Sequence, residues 1–431
     1  MAAASLGEGR EGGGGVGLAG VETAIRAAMC TLGGQLLELL LCADTGHCGP
    51  RVDCGAGHDA AFLAYRVKTI DTVLGPISVR RAYYHCRACR RGVIPRDEQL
   101  GILGASLSPG LQIMTARAGT AAPFAQAASL LADLAGITLS TKRVERAAEA
   151  TGAAATTAQA VQTHAILTGQ LVPLPPLPRP DGTMPDILYL AVDGTGLPMR
   201  ASDTTGRAGK GPDGRARTRE AKLAAVFTQT RTTKDGHPIR DPDSTSYVAT
   251  LQPVEHFADL LTAEARRRGS EHLRQLVFIG DGARWIWKLA DQRFPAATQV
   301  VDLFHAREHL HELAALLEFI VADPATWLTD RLTELNKGDI EALSAAARRY
   351  DHDLTGPKAD DVDRAVKYFE TNAHRMRYAH YRQLGMFVGS GVVEAGCKTV
   401  LGARLKQSGM HWTTRGATAI TTLRCHHASA A

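Results

Sequence analysis

Apolar positions in "VETAIRAAMCTLGGQLLELLLCA", residues 21 to 43, recur at helical spacing and predict a helix. Between 45 and 100 the texture changes to short pieces rich in β-branched and aromatic residues. There "VKTIDTV" and "ISVRRAYYH" flank "LGP", the pattern of a hairpin. From about 105 to 165 the chain is Ala-rich and helical. Its informative part is "PFAQAASLLADLAGITLSTKRVERAAEATG". An apolar helix stops at "AGI", a short turn follows, and Ser140 or Thr141 caps a second helix bearing Lys142, Arg143 and Arg146. This is the outline of a helix-turn-helix whose basic second helix would touch DNA; an ordinary helical hairpin fits the pattern as well. The Pro-rich stretch "LVPLPPLPRPDGTMP", 171 to 185, then marks a linker.

Past the linker, "DILYLAV", "AKLAAVFTQT" and "STSYVATL" predict three strands. "VEHFADLLTAEARRRG" predicts a helix, "LRQLVFIG" a strand, "ARWIWKLADQRF" a helix and "TQVVDLF" a fifth strand. That succession matches the ribonuclease H-like layout, a mixed sheet flanked by helices. A helical stretch follows at about 305 to 385, and "GSGVVEAGCKTVLGARLKQSG" predicts one more helix behind a Gly-Ser-Gly entry. The expected fold class is therefore α/β. An RNase H-like core over 187–431 carries a helical insertion at about 305–385. Before it come a Gly-rich disordered tail (1–20), an N-terminal helix with a small β module (21–104), the helix-turn-helix-like region (105–170) and the linker (171–186).

Composition changes this picture little. The 431 residues suggest about two or three domains. Apolar residues make up 45% and charged residues 22%, ordinary globular values, and the net charge of +5 permits nucleic acid as a partner without requiring it. No uninterrupted run of 18 apolar residues occurs and the start "MAAASLGEGREGGGGVGLAG" has no apolar core behind a basic end, so a cytoplasmic protein with no membrane contact is expected. In that setting the eight cysteines point to metal binding or plain burial, not disulfides.

The carboxylates bring in chemistry. Asp193, in "YLAVDGTGLPM", ends the first predicted strand, and Asp281, in "VFIGDGARWIW", ends the fourth. In the expected layout those ends are neighbours. Two carboxylates so close repel and raise each other's pKa unless a cation lies between them. Mg²⁺ or Mn²⁺ is the natural occupant, and Glu394 on the late helix could complete the set. Such a trio can serve two-metal phosphodiester chemistry. The competing readings are a hairpin turn for Asp193, a helix cap for Asp281 and a solvated or capping Glu394. Asp302, in "VVDLFHAREHL", is the rival second aspartate. With His305 it is expected either to support the site or touch substrate, or else to be a helix cap beside a surface histidine. "HLHELAAL" lacks the second histidine of a zinc-protease helix.

A second constellation lies upstream. "CGPRVDCGAGH" and "HCRACRRG" suit a zinc ribbon, with Cys54, His58, Cys86 and Cys89 the favoured ligands and Cys48 and His85 alternates. The competing reading is a small β module with free buried thiols. Cys30, Cys42, Cys397 and Cys425 are most simply core residues. Arg207, Lys210, Arg215, Arg217, Arg219 and Lys222 cluster between the first two strands, where they could neutralise DNA phosphates, or form a merely solvated loop. Arg404, Lys406, His411, Trp412 and Arg415 could grip or stack on a splayed strand end.

Together, "AVDGTGLPM", "REAKLAAVFTQ", "IGDGARWIWKLA", "VVDLFHAREHL" and "GSGVVEAGCKTVLGARLKQSGMHW" resemble signature blocks of DDE transposases of the Kra-type insertion-sequence group, distant cousins of Mutator-like transposases. The similarity runs from about residue 50 to 424. It implies an RNase H-like core, Mg²⁺, DNA strand cleavage and joining, terminal inverted repeats and target DNA as partners, and a homo-oligomer on DNA. By the match Asp193, Asp281 and Glu394 take the DDE roles, and Asp302 with His305 matches a D-x-x-H element. The resemblance also implies a cysteine at position 56, where Ala56 stands, which leaves the fourth zinc ligand open. It implies a tail longer than "HHASAA", so a truncated or inactive DNA-binding derivative is one alternative and a nuclease without joining the other.

Overall fold

The computed structural model describes residues 17–176, 178, 182–209 and 214–429. Their contacts divide the chain into two units, 1–148 and 149–431. The division falls inside a helix, before the Pro-rich linker. Of the expected tail, residues 1–16 lie outside the described residues.

In the first unit the predicted hairpin forms from β2 (Asp59–Thr72) and β3 (Gly75–Cys86). Gly75, at φ 108°, takes the left-handed turn that a side chain would resist. β1 (Arg51–Asp53) and β4 (Arg91–Val93) complete an antiparallel sheet in the order β1-β2-β3-β4. Ile70, Ile77 and Val79 form a small core against Leu37 and Leu41 of α1 (Leu18–Cys42). At the other end Ala60, Ala82, Tyr84 and Cys86 gather Cys54 and Cys89 around them.

By length and composition alone α1 passes as a helix that could cross a membrane, a test that soluble core helices and signal sequences pass too. Its apolar run is interrupted by Glu22, Arg26, Gln35 and Glu38. Glu38 accepts the Ser78 amide at 2.7 Å, so the helix is tied to the hairpin.

Below the sheet, α2 (Pro95–Gln99) carries Asp97, which is buried. The Arg81 guanidinium donates to both its oxygens at 2.6 Å, and Lys68 stands 3.6 Å away. Breaking such a pair strands buried positive charge, so Asp97→Ala is expected to cost about 3–5 kcal/mol in urea unfolding.

α3 (Pro109–Ala121), α4 (Phe124–Ala135) and the start of α5 (Thr141–Leu167) share one apolar core that includes Leu111, Leu131 and Val144. α4 ends on left-handed Gly136. Ser140 then accepts the Arg143 amide at 3.3 Å, the capping role that the sequence divided between Ser140 and Thr141.

α5 continues into the second unit. Gly152 passes so close to Ala419 that a Cβ would collide with its carbonyl oxygen. The second unit is built on β5 (Ile187–Pro198), whose residues 187–192 are all buried, as in a strand covered on both faces. After α6 (Ala201–Thr204), β6 (Thr218–Thr232) pairs antiparallel with β5, and β7 (Pro238–Arg240) and β8 (Ser246–Thr250) both pair antiparallel with β6. α7 (Val254–Arg267) leads to β9 (Gln275–Gly280), parallel to β5. α8 (Arg284–Arg293) leads to β10 (Thr298–Val301), parallel to β9. The described strands thus form a mixed sheet, β10-β9-β5-β6-β7 with β8 beside β6.

The expected helical stretch comprises α9 (Leu303–Leu317), α10 (Pro324–Lys337), α11 (Ile340–Arg348), α12 (Pro357–Asn372) and α13 (Tyr378–Gln383). The late helix runs as α14 (Gly391–Gly396), a π-turn over Cys397–Gly402, and α15 (Ala403–Leu405). α16 (Thr414–Ala428) follows.

Candidate active site and candidate metal centre

Parallel strands end on the same edge of a sheet. β5 passes through Asp193, β9 stops at Gly280 just before Asp281, and β10 stops at Val301 just before Asp302. Three aspartates therefore share this edge, held by different means.

Asp193 accepts the Gly194 amide at 2.6 Å and a hydrogen bond from the Cys397 thiol. Burial pushes its carboxyl above the ordinary range and the Asp281 charge adds to this; the hydrogen bonds and His305 oppose it. Asp281 accepts the Ala283 amide through Oδ1 at 2.8 Å, which is a helix-entry bond, while Oδ2 has no hydrogen bond among the described residues. Tyr368 of α12 donates to the Asp281 carbonyl at 3.1 Å. Gly282 must be glycine twice over: its φ is 101°, and a Cβ would lie 2.6 Å from the Tyr368 ring.

Asp302 lies just past β10 and is 0% exposed. Oδ1 accepts the Phe304 and His305 amides at 2.6 and 2.8 Å, capping α9, and Oδ2 accepts the Ser390 amide. Both oxygens are spent on backbone, tying α9 to the entry of α14. Asp302→Asn would turn an amide donor towards an N–H, and is expected to cost about 2 kcal/mol by chemical denaturation. His305 lies 3.2 Å from Glu308, as a helix-surface histidine does, and is near enough to Asp193 to act on that carboxyl.

Glu394 stands in the first turn of α14 and accepts from Ser390 Oγ at 3.2 Å. Cys397, three residues on, lies on the same helical side and donates to Asp193. Burial pushes that thiol up, and the Asp193 and Glu394 charges push it further. Cys397 had been expected only as core. Its spacing from Glu394 was the available signal, and the π-turn that begins with it is a device common at functional sites. Asp193 and Asp281 thus lie in each other's field, with Glu394 linked to them through Cys397. Among the described residues the three carboxylates do not close to within 4.8 Å of one another as a set.

In the first unit a tighter cluster forms. The ligand atoms of Cys54, His58, Cys86 and Cys89 all lie within 4.8 Å of one another, a set that could hold a metal ion. Cys54 and Cys89 sulfurs are 3.6 Å apart, and His58 Nδ1 is 3.2 Å from Cys89 Sγ. Two tight turns build it: left-handed Gly55 and Gly57 fold His58 back, and the Cys89 amide donates to Cys86 Sγ at 3.4 Å before left-handed Arg90. Burial acts to raise the Cys54 thiol, but hydrogen bonds involving the Ala56 and His58 backbone and its neighbour thiols bring it down to about 7. Hydrogen bonding to Cys54 and Cys86 pushes Cys89 up to about 11. Cys48 and His85 stay outside this set.

The basic residues scatter. Arg207, Arg215 and Arg217 are exposed, and Lys210 lies outside the described residues. Arg219 donates to Thr414 Oγ1 at 2.8 Å, and Lys222 pairs with Glu220 at 3.2 Å beside the Trp285 ring. Lys406 donates to Thr195, two residues past Asp193. The expected grip of Arg404 and Trp412 is not presented to a surface. Arg404 is 1% exposed with its guanidinium 5.1 Å from the equally inward Trp412 ring, and burial pulls its pKa down to about 10. His411 and Arg415 are exposed. In the first unit Arg143 is held by Asp71 at 2.6 Å and Lys142 by Glu145 at 2.7 Å, while Arg146 is exposed.

Neither known protein-family profiles nor curated proteins give a match to this chain.

Proposed function

We propose that the chain is a DNA transposase of an insertion sequence, with an RNase H-like core that cleaves element ends and joins the freed 3′-hydroxyl to target DNA. The observation that carries this reading is the shared strand edge. Asp193 and Asp281 meet there across adjacent parallel strands, and the late helix sends Cys397 to Asp193 one turn past Glu394.

The donor chemistry suits a hard divalent cation. The donors are oxygens, Asp193 is raised by burial and by its neighbour's charge, and Asp302 is already spent on backbone. Asp193, Asp281 and Glu394 would hold Mg²⁺ or Mn²⁺. When bound, such a cation activates the attacking oxygen and stabilises the leaving oxygen of a phosphodiester. The chain's own groups do the positioning. The Cys397 thiol orients the Asp193 carboxylate, Asp302 fixes the spacing between α9 and α14, and Lys406 on Thr195 adds positive charge for a phosphate. Arg207, Arg215 and Arg217 offer further phosphate contacts. In the first unit, Cys54, His58, Cys86 and Cys89 would hold a structural zinc, since three thiolates and an imidazole are a common closed zinc set.

The test is an incubation of the full chain with Mg²⁺ and duplex DNA carrying the flanking repeats of its own locus. Cleavage with covalently joined product supports the reading. Cleavage without joining would leave a nuclease, and no cleavage would leave a DNA-binding protein.

A further inference from the structure

α1 has two apolar faces, and the first unit uses one. Gly34, Leu37 and Leu41 face the hairpin, and Leu74 approaches so near Gly33 that a Cβ there would meet it at 3.3 Å. Away from that contact Leu18, Ile25, Met29, Leu32, Leu36 and Leu39 stand 56% to 75% exposed. Their steps alternate between three and four residues from Ile25 onward, and Leu18 is one heptad before Ile25. That is the 3.5-residue period of a helix-pairing seam, with Glu22 at the missing position. Val21 and Leu40 widen it, and both are exposed.

We propose that this seam is where a second copy of the chain docks, α1 against α1. Three observations favour that occupant. The heptad spacing suits a facing helix, because each such side chain inserts between four residues of its partner. The exposed area suffices: side chains of this size and exposure leave several hundred Å² of apolar surface per copy, on the order of the roughly 800 Å² per partner of a standard interface. The seam is nearly free of charge, with Glu22 the exception, so two copies meet without repulsion along most of it. A bilayer fits worse. The opposite face of α1 is fixed to a hairpin bearing Lys68, Arg80 and Arg81, and the Glu38–Ser78 bond would have to enter hydrocarbon with it. The proposal rests on α1 alone and stands or falls independently of the transposase reading.

The experiment is analytical ultracentrifugation of the full chain without DNA, over a concentration series. The wild type is expected to sediment as a dimer of the 45.9 kDa chain. Leu32→Glu with Leu36→Glu should raise the dissociation constant about 100-fold or more, with an unchanged circular dichroism melt. Glu22→Leu, which removes the one seam charge, should lower it, an effect that misfolding cannot imitate. Leu103→Glu, on an exposed site off the helix, should change nothing. A monomeric wild type overturns the proposal, as does a dimer indifferent to both seam changes. Flotation of the wild type with phosphatidylcholine–phosphatidylglycerol vesicles, abolished by the seam variant, also overturns it in favour of a membrane.

Discussion

Asp193→Asn is expected to lower Mg²⁺-dependent DNA cleavage by roughly 1,000-fold or more, about 4 kcal/mol of barrier, while raising thermal stability. The two effects have one cause. Asp193 is a carboxylate held against burial and against the Asp281 charge, a conflict that only a cation resolves. Asn keeps an oxygen for the Gly194 amide and the Cys397 thiol but removes the charge. Without metal, the melting temperature should therefore rise by about 2–4 °C at pH 7, on the order of 1 kcal/mol. A carboxyl raised above its unfolded value weakens the fold as pH climbs through that value, and the penalty is complete above the raised one. The advantage of Asn should accordingly vanish below about pH 4, where both states are protonated. Melts at pH 7 and pH 3.5, beside a gel assay of cleavage, measure both. An Asn variant that cleaves normally removes Asp193 from the chemistry; one that loses both activity and stability makes it a structural residue.

The second large effect concerns the first unit. Cys86→Ser is expected to release bound metal and unfold the β1–β4 module, at a cost of several kcal/mol against the roughly 10 kcal/mol scale of structural zinc binding. Cys86 is fully buried, and its sulfur accepts the Cys89 amide, so no water can replace it cheaply. Cys48→Ser is the control. Cys48 is exposed and its thiol reaches only the Gly46 carbonyl at 3.5 Å, so metal content and melting should stay as in the wild type. Metal per chain by elemental analysis and near-ultraviolet circular dichroism distinguish the two. Equal metal content in both variants would show that the four side chains gather for packing alone.

Much of the scaffold was legible from period and run length. The amphipathic α7 carries a helical repeat, while the apolar runs before Asp193 and Asp281 show no alternation and read as strands from their shortness and the Asp-Gly that follows each. Strand β7 escaped because three residues are too few to show a period. Asp302 and its helix cap were open to a sequence reading because the capped amides are two and three residues on, but its bond to Ser390 depends on a loop 88 residues away. Spacing favoured His58 as the fourth member, with Cys48 and His85 as alternates; left-handed Gly55 and Gly57 turn His58 into the cluster, and Cys48 and His85 stay outside it. Arg404 and Trp412 misled because a cation beside an aromatic looks the same whether it faces solvent or, as here, packs inward with the indole N–H on the Leu405 carbonyl. Cys397 was read as core alone; its three-residue spacing put it on the same helix side as Glu394, but which group on that side touches Asp193 is set by packing and not by spacing.

The most direct test is a Mn²⁺ titration of the full chain followed by electron paramagnetic resonance. If the strand edge holds a divalent cation, the wild type takes up Mn²⁺, Asp193→Asn, Asp281→Asn and Glu394→Gln each weaken uptake by at least about tenfold, and Cys48→Ser does not. Uptake by the wild type no stronger than that of the Asp193→Asn, Asp281→Asn double variant would contradict the account.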